Sequence, residues 1–165
     1  MAMNELTRKS VGDITTRSVI TMDAGETMEE AGKLMEEKQV TMLVITEKGQ
    51  IAGLLTAGDW FNSFYLHVGS HLPRDKFRTE RAHQGDLQRE KSEIVKKRAE
   101  EFKQMKVREG MNRHFRTIPE SASLIEAVHE MKATELRRLL VTDDKGKVIG
   151  VLGRTKTITT LLGEL

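Results

Sequence analysis

The stretch from Val11 to Trp60 recurs, in the same order of residue types, from Val107 to the C-terminus. Val11 aligns with Val107, Thr21 with Thr117, Ala31 with Ala127 and Met35 with Met131, each pair 96 residues apart. After a polar turn the spacing becomes 97, so that Gly53 meets Gly150. One extra residue in TDDKGK, set against TEKGQ, accounts for the step. Such a duplication constrains the fold more than any composition does. Whatever unit the first copy makes the second must make too, and units too small to bury their own apolar faces need a neighbour.

Each copy reads as β-α-β-β-α. A short extended piece comes first, SVITM or HFRTI. A helix follows, opened by Thr27 with Glu30 and by Ser123 with Glu126, the hydroxyl-then-carboxylate spacing of a capping box. Met28, Ala31 and Leu34/Met35 form one apolar stripe; Leu124, Ala127/Val128 and Met131 form the other. Two β-rich runs come next, MLVIT with IAGLLT and RLLVT with VIGVL, joined by turns containing Gly49 or Gly146. A last helix is predicted from near Ala57 and from near Lys156. The expected class is α+β: tandem βαββα repeats packed sheet to sheet with pseudo-twofold symmetry, plus an inserted helical linker. The boundaries follow as 9–60 for the first repeat, 61–105 for the insert and 106–165 for the second repeat.

Within the insert, LPRD and AHQGD read as loops. From Leu87 to Met105 the chain is charged and free of Pro and Gly. Leu87, Ile94, Val95, Ala99, Phe102 and Met105 are spaced as one face of a helix, with pairs such as Glu93/Lys97 on the solvated side.

Composition removes several functions. The absence of Cys excludes disulfides, thiolate zinc sites and cysteine nucleophiles. The 27 basic and 25 acidic side chains are interspersed, and one Trp and one Tyr offer little for base stacking, so nucleic acid is not an expected partner. MAMNELTRKS is too polar for a signal peptide, and no apolar run nears the roughly 20 residues that span a bilayer. No membrane association is expected, and the expected location is cytoplasmic. The five histidines, His67, His71, His83, His114 and His129, form no tight metal pattern: His67 and His71 are four apart but no carboxylate completes a set, and His129 falls in the repeat helix. No Ser/His/Asp order, Walker loop or acid–base carboxylate pair comes forward. An enzyme is not expected.

One corner carries chemistry. Gly53-Leu54-Leu55-Thr56-Ala57-Gly58-Asp59 stands where the last strand of copy one enters its final helix. Unpaired N–H groups there favour anionic groups. Thr56 offers a hydroxyl and Asp59 a pair of acceptors, suited to ribose hydroxyls and repelling phosphate. The same spacing also fits a capping box whose whole task is to start the helix.

The ordered set VGDITTRSVITMDAGETMEEAGKLM and VTMLVITEKGQIAGLLTAGDW, then VREGMNRHFRTIPESASLIEAVHEM and LRRLLVTDDKGKVIGVL, resembles the CBS-domain pair, or Bateman module. The resemblance implies two units paired through their sheets with clefts related by a pseudo-twofold axis. It implies an adenosine-type ligand (AMP, ADP, ATP or S-adenosylmethionine), frequent homodimers, and control of an enzyme, channel or transporter. It also implies that Thr56 and Asp59 hold a ribose and that the main chain of Thr16, Arg17, Ser18, Val19 and Ile20 borders the purine. Arg17 is read either as turning toward phosphate or as an exposed loop arginine.

The second copy departs from this pattern, with Gly153 where Thr56 stands and Lys156 where Asp59 stands. Lys156 points to an anion, or to the phosphates of a ligand held by copy one. Arg137 and Arg138 are phosphate candidates or surface salt bridges, and Arg113, His114 and Arg116 add to the basic tendency. The expected protein is a regulatory ligand-sensing module. It has one competent and one altered cleft, needs no cofactor, forms a homodimer and acts on a separate partner. The alternative is a ligand-free dimeric scaffold that recruits a protein through the inserted helix.

Overall fold

The computed structural model describes residues 9–71 and 84–164, with side chains for all of these except 71, 84–91 and 164. In chain order the elements are α1 (Val11–Ile14), β1 (Thr21–Asp23), α2 (Met28–Glu37), β2 (Met42–Glu47), β3 (Gln50–Thr56) and α3 (Ala57–His67). A 3₁₀ turn (Gly69–His71) follows, then α4 (Gln84–Gln104), α5 (Val107–Gly110), β4 (Thr117–Pro119), α6 (Leu124–Thr134), β5 (Arg138–Thr142), β6 (Val148–Gly153) and α7 (Arg154–Glu164). LPRD lies outside the described residues, as do the first two residues of AHQGD. The other three open α4 as helix rather than loop, because a 21-residue helix absorbs the roughly 1 kcal/mol that Gly85 costs.

Each copy builds a three-stranded sheet, in the orders β1-β2-β3 and β4-β5-β6. The first two strands are parallel, joined through α2 or α6, and the third is antiparallel (Thr21↔Val44 then Val44↔Leu54; Thr117↔Leu140 then Leu140↔Val151). The two hairpins explain the step from 96 to 97. Glu47 pairs with Gln50 across a two-residue turn, Lys48-Gly49, with both residues at positive φ. In the second hairpin Asp143 N–H donates to Lys147 O at 2.9 Å around a three-residue turn that ends on left-handed Gly146.

Helix starts follow the capping pattern. Thr27 N–H and O–H both donate to Glu30 Oε2 at 2.8 Å, and Glu30 N–H returns to Thr27 Oγ1 at 3.2 Å. Ser123 and Glu126 repeat this at 2.7, 2.8 and 3.3 Å. The bonds from Thr27 and from Ser123 hold the two glutamates below the ordinary carboxylate range. Met28, Ala31 and Met35 are buried on α2, and Leu124, Ala127 and Met131 on α6. Val128, expected on that stripe, is 36% exposed. The last helix begins at Arg154 rather than near Lys156. Arg154 is the repeat equivalent of Ala57, and both N–H groups donate at 2.9 Å, to Arg137 O and Thr41 O.

The chain divides into two compact units that do not follow the repeats: Thr21–Arg113 (the middle unit), and Met1–Ile20 with His114–Leu165 (the terminal unit). Each sheet is completed by the lead-in segment of the other copy. In the middle unit, Val107 and Arg108 N–H donate to Glu26 O at 2.9 Å and Ala24 O at 3.1 Å. In the terminal unit, Val11 and Gly12 N–H donate to Ala122 O at 2.8 Å and Glu120 O at 2.9 Å, the same bonds 96 residues displaced. Val107 and Val11 are fully buried, each worth about 1.5–3 kcal/mol. Val11 joins Ile118, Ala127, Met131, Leu139, Val141 and Leu152 in the terminal core.

The lead-ins then cross the third strand. Leu54 and Asn112 exchange both backbone bonds at 2.9 and 2.7 Å, and Thr16 and Val151 do so at 3.1 and 3.0 Å. Beside each bridge lies one of the paired glycines. A Cβ on Gly53 would stand 2.7 Å from Asn112 O, and one on Gly150 would stand 2.7 Å from Thr16 O. Only a residue without a side chain admits the crossing backbone.

Gly53→Ala and Gly150→Ala should each cost about 1–3 kcal/mol in urea unfolding. Gly153→Ala, with nothing within 4 Å of the added carbon, should stay within about 0.5 kcal/mol of the parent. A pH series tests the caps. Glu126 is held ionised in the folded chain, so its contribution is full above the ordinary value of 4.5 and is lost as pH falls through the lower folded value. Glu126→Gln keeps the bond from Ser123 but does not titrate. The stability gap between parent and variant should therefore narrow as the pH of the unfolding series is lowered through that window.

Candidate functional site

Thr56 ends β3 and caps α3. Its N–H and O–H donate to Asp59 Oδ2 at 2.9 and 2.6 Å, and Asp59 N–H donates to Thr56 Oγ1 at 3.1 Å. Both residues are half-buried. The capping box is therefore formed, in the same geometry as those at Thr27 and Ser123. Its carboxylate spends Oδ2 on the cap, and Oδ1 takes no part in these bonds. A half-buried carboxylate oxygen at a strand-to-helix corner can accept from paired hydroxyls. The neighbouring Ala57 and Gly58 are exposed and small, so the approach along the first turn of α3 is open.

The remaining candidates fall in the terminal unit. Thr16 commits its main chain to Val151, and its side chain is exposed. Arg17 has its side chain 59% exposed, and its Nη2 lies 3.3 Å from Glu120 Oε2, a surface ion pair that neither reading of the sequence included. Val19 and Ile20 are half-buried where the chain approaches β1. Arg138 opens β5 opposite Gly153 and is exposed. Arg137, one residue earlier, lines a hollow between α6 and α7. Lys156 is exposed on the first turn of α7. Of the other cations, Arg116 Nε lies 3.6 Å from Glu130 Oε1, and Arg113 Nη2 donates to Arg108 O at 3.4 Å.

Among the described residues no group of three or more His, Asp or Glu is placed to hold a metal ion, and no helix is long and apolar enough to cross a membrane. His67 Nε2 is 3.9 Å from Glu101 Oε2, and the side chain of His71 lies outside the description.

The CBS-domain family profile matches residues 11–64 and 104–162, which takes in both repeats. The chain belongs to the CBS-domain family. It is a CBS pair, and its two matched segments carry the two sheets described above. Solved structures share the fold. The CBS-pair protein CBSX2 from Arabidopsis thaliana is 22% identical, covering 94% of this chain and 95% of that one, with a TM-score of 0.62. CBSX2 has also been solved in complex with AMP, with a TM-score of 0.59 over 94% of this chain and 97% of that one. The CBS domain of a CBS-domain-containing membrane protein from Sphaerobacter thermophilus is 18% identical, covering 96% and 91%, with a TM-score of 0.70. The CBS domain of a bacterial CNNM/CorC-family Mg²⁺ transporter, in complex with ATP, is 15% identical, covering 99% and 94%, with a TM-score of 0.66. An uncharacterised protein of Methanocaldococcus jannaschii is 21% identical over 99% of this chain, which spans 43% of that relative's length.

Sequence reasoning named the Thr56–Asp59 corner and missed the exchange of lead-ins. The paired glycines were its visible trace, since two repeats that both keep a small residue in mid-strand invite a close backbone.

Proposed function

We propose that this CBS pair is a regulatory module that senses an adenosine-containing ligand through the corner formed by Thr56 and Asp59. The observation that carries the reading is Asp59, half-buried at the head of α3, whose Oδ1 has no hydrogen-bond donor among the described residues while Oδ2 completes the cap. Vicinal ribose hydroxyls can both donate to such a carboxylate, whereas phosphate is repelled. The AMP complex of CBSX2 and the ATP complex of the CNNM/CorC transporter domain support the ligand class. S-adenosylmethionine shares the adenosine portion and stays within the proposal.

Thr16, Arg17, Val19 and Ile20 are offered to the base by their apolar and main-chain character. Arg137, Arg138 and Lys156 are offered to phosphate by their charge, and each is testable by its own substitution. The repeat boundaries 9–60, 61–105 and 106–165 are kept as units of duplication, distinct from the compact units. The working form we propose is a cytoplasmic homodimer acting on a separate protein, with no required cofactor. Phe61, 68% exposed, and Tyr65, 45% exposed and four residues on, supply a largely apolar face on α3 for self-association. The scaffold alternative is weakened because Phe102, the largest apolar side chain described on α4, is 1% exposed and packed edge-on against Trp60 and Phe64.

Calorimetric titration of nucleotide-stripped protein with AMP, ADP, ATP and S-adenosylmethionine should give saturable binding by at least one of them, near one ligand per chain. Asp59→Ala should abolish that binding while lowering unfolding stability by only about 0.5–2 kcal/mol, the cost of a lost cap. Silence with all four ligands, or equal affinity in the Asp59→Ala protein, would overturn the proposed ribose contact.

A further inference from the structure

The repeat makes one half of the chain a guide to the other. In the middle unit a hollow of about 510 Å³ lies between α2 and α3, and α4 lays Ala99, Phe102 and Lys103 along it. Phe102 is buried there, edge-on to Trp60 at 5.0 Å and to Phe64 at 5.3 Å between ring centres. In the terminal unit a hollow of about 500 Å³ lies between α6 and α7. Its walls include Val128, Met131, Arg154, Thr157, Ile158 and Leu161, the repeat equivalents of Gly32, Met35, Ala57, Trp60, Phe61 and Phe64.

The chain approaches both hollows by the same route. Met28 N–H donates to Met105 O at 2.9 Å where α4 gives way to the lead-in. Leu124 N–H donates to Lys9 O at 3.3 Å, the equivalent bond 96 residues displaced. The next residue bridges in both places, Lys106 to Thr27 and Ser10 to Ser123. The eight residues that precede Lys9 therefore correspond in register to residues 97–104 of α4, and Met1–Ile20 group with the terminal unit. Each α4 residue that lines the middle hollow lies within six positions of Met105, so eight residues before Lys9 suffice to reach the same depth.

Their residue types fit the task. MAMNELTR sets Met3 against Ala99, Leu6 against Phe102 and Thr7 against Lys103, and Glu5 repeats Glu101. The wall and the wedge change together. Trp60, Phe64 and Phe102 are all aromatic, whereas Thr157, Leu161 and Leu6 are not, so a smaller branched side chain meets a smaller branched wall.

We propose that residues 1–8 cover the groove between α6 and α7 as residues 97–104 cover the groove between α2 and α3, with Leu6 in the place of Phe102. Met3 and Leu6, three apart, supply the apolar stripe of one helical face. The groove is then a seat for the chain's own segment, and each repeat is roofed by the residues just ahead of the other repeat's lead-in. The inference does not depend on the nucleotide reading.

The test is methyl NOE spectroscopy on the intact, methyl-labelled protein. The Leu6 methyls should give cross-peaks to those of Leu161 and Thr157, and Leu6→Ala should remove them. In a second measurement, Leu6→Asp should speed amide exchange in α7 about tenfold or more while α2 and α3 keep the parent's rates. Leu6 methyls with no cross-peak to α6 or α7 would overturn the proposal, as would α7 amides that exchange equally in parent and Leu6→Asp protein. So would cross-peaks that, in a mixture of two differently labelled samples, arise only between copies, because the groove would then hold the segment of a second copy.

Discussion

Everything in this fold depends on a backbone passing over a backbone. The lead-in of each repeat crosses the third strand of the other copy's sheet, and two ladder bonds at each crossing, 2.7–3.1 Å long, hold it there. A peptide chain lies so close to a strand only where the strand has no side chain on that face, which is the task of Gly53 and Gly150. Once the lead-in is seated, Val107 or Val11 drops into a core that its own sheet does not supply. Neither repeat closes its core alone; each compact unit is built from pieces of both. The duplication is therefore a structural necessity for the chain as well as a record of its origin.

The functional corner inherits its geometry from this scaffold. β3 is held on one side by β2 and on the other by the crossing Asn112, so Thr56 leaves the strand from a fixed position. The cap then fixes Asp59 through three bonds before any ligand arrives. Such a carboxylate loses little freedom on binding, the condition under which one polar contact contributes most to specificity. The second repeat keeps the corner and drops the chemistry. Gly153 and Lys156 replace the hydroxyl and the carboxylate, and α7 starts without a side-chain acceptor of the Thr56–Asp59 kind.

Much of this was legible in residue order because the signals are local. The capping pairs Thr27/Glu30 and Ser123/Glu126, the stripes led by Met28 and Leu124, and the turn glycines Gly49 and Gly146 each declare themselves within a few positions. The start of α7 was legible too, through the equivalence of Arg154 with Ala57 at the offset of 97. The exchange of lead-ins was not. Its bonds join Ala24 and Glu26 to Val107 and Arg108 through main-chain atoms alone, which carry no residue-type signature. The surface position of Val128 was hidden for a similar reason. Helical period places it beside the buried stripe, and among the described residues no helix covers it.

The most direct test of this account is amide hydrogen exchange measured residue by residue on the intact protein. The four bridging amides, Leu54, Asn112, Thr16 and Val151, should exchange as slowly as those of central strands β2 and β5, because they form ladder bonds whose opening requires the lead-in to leave the sheet. Exchange of Thr16 and Asn112 at the rate of an exposed loop, with β2 and β5 still protected, would contradict it. The lead-ins would then be attached by chain connectivity alone, and each sheet would close its core without the other repeat.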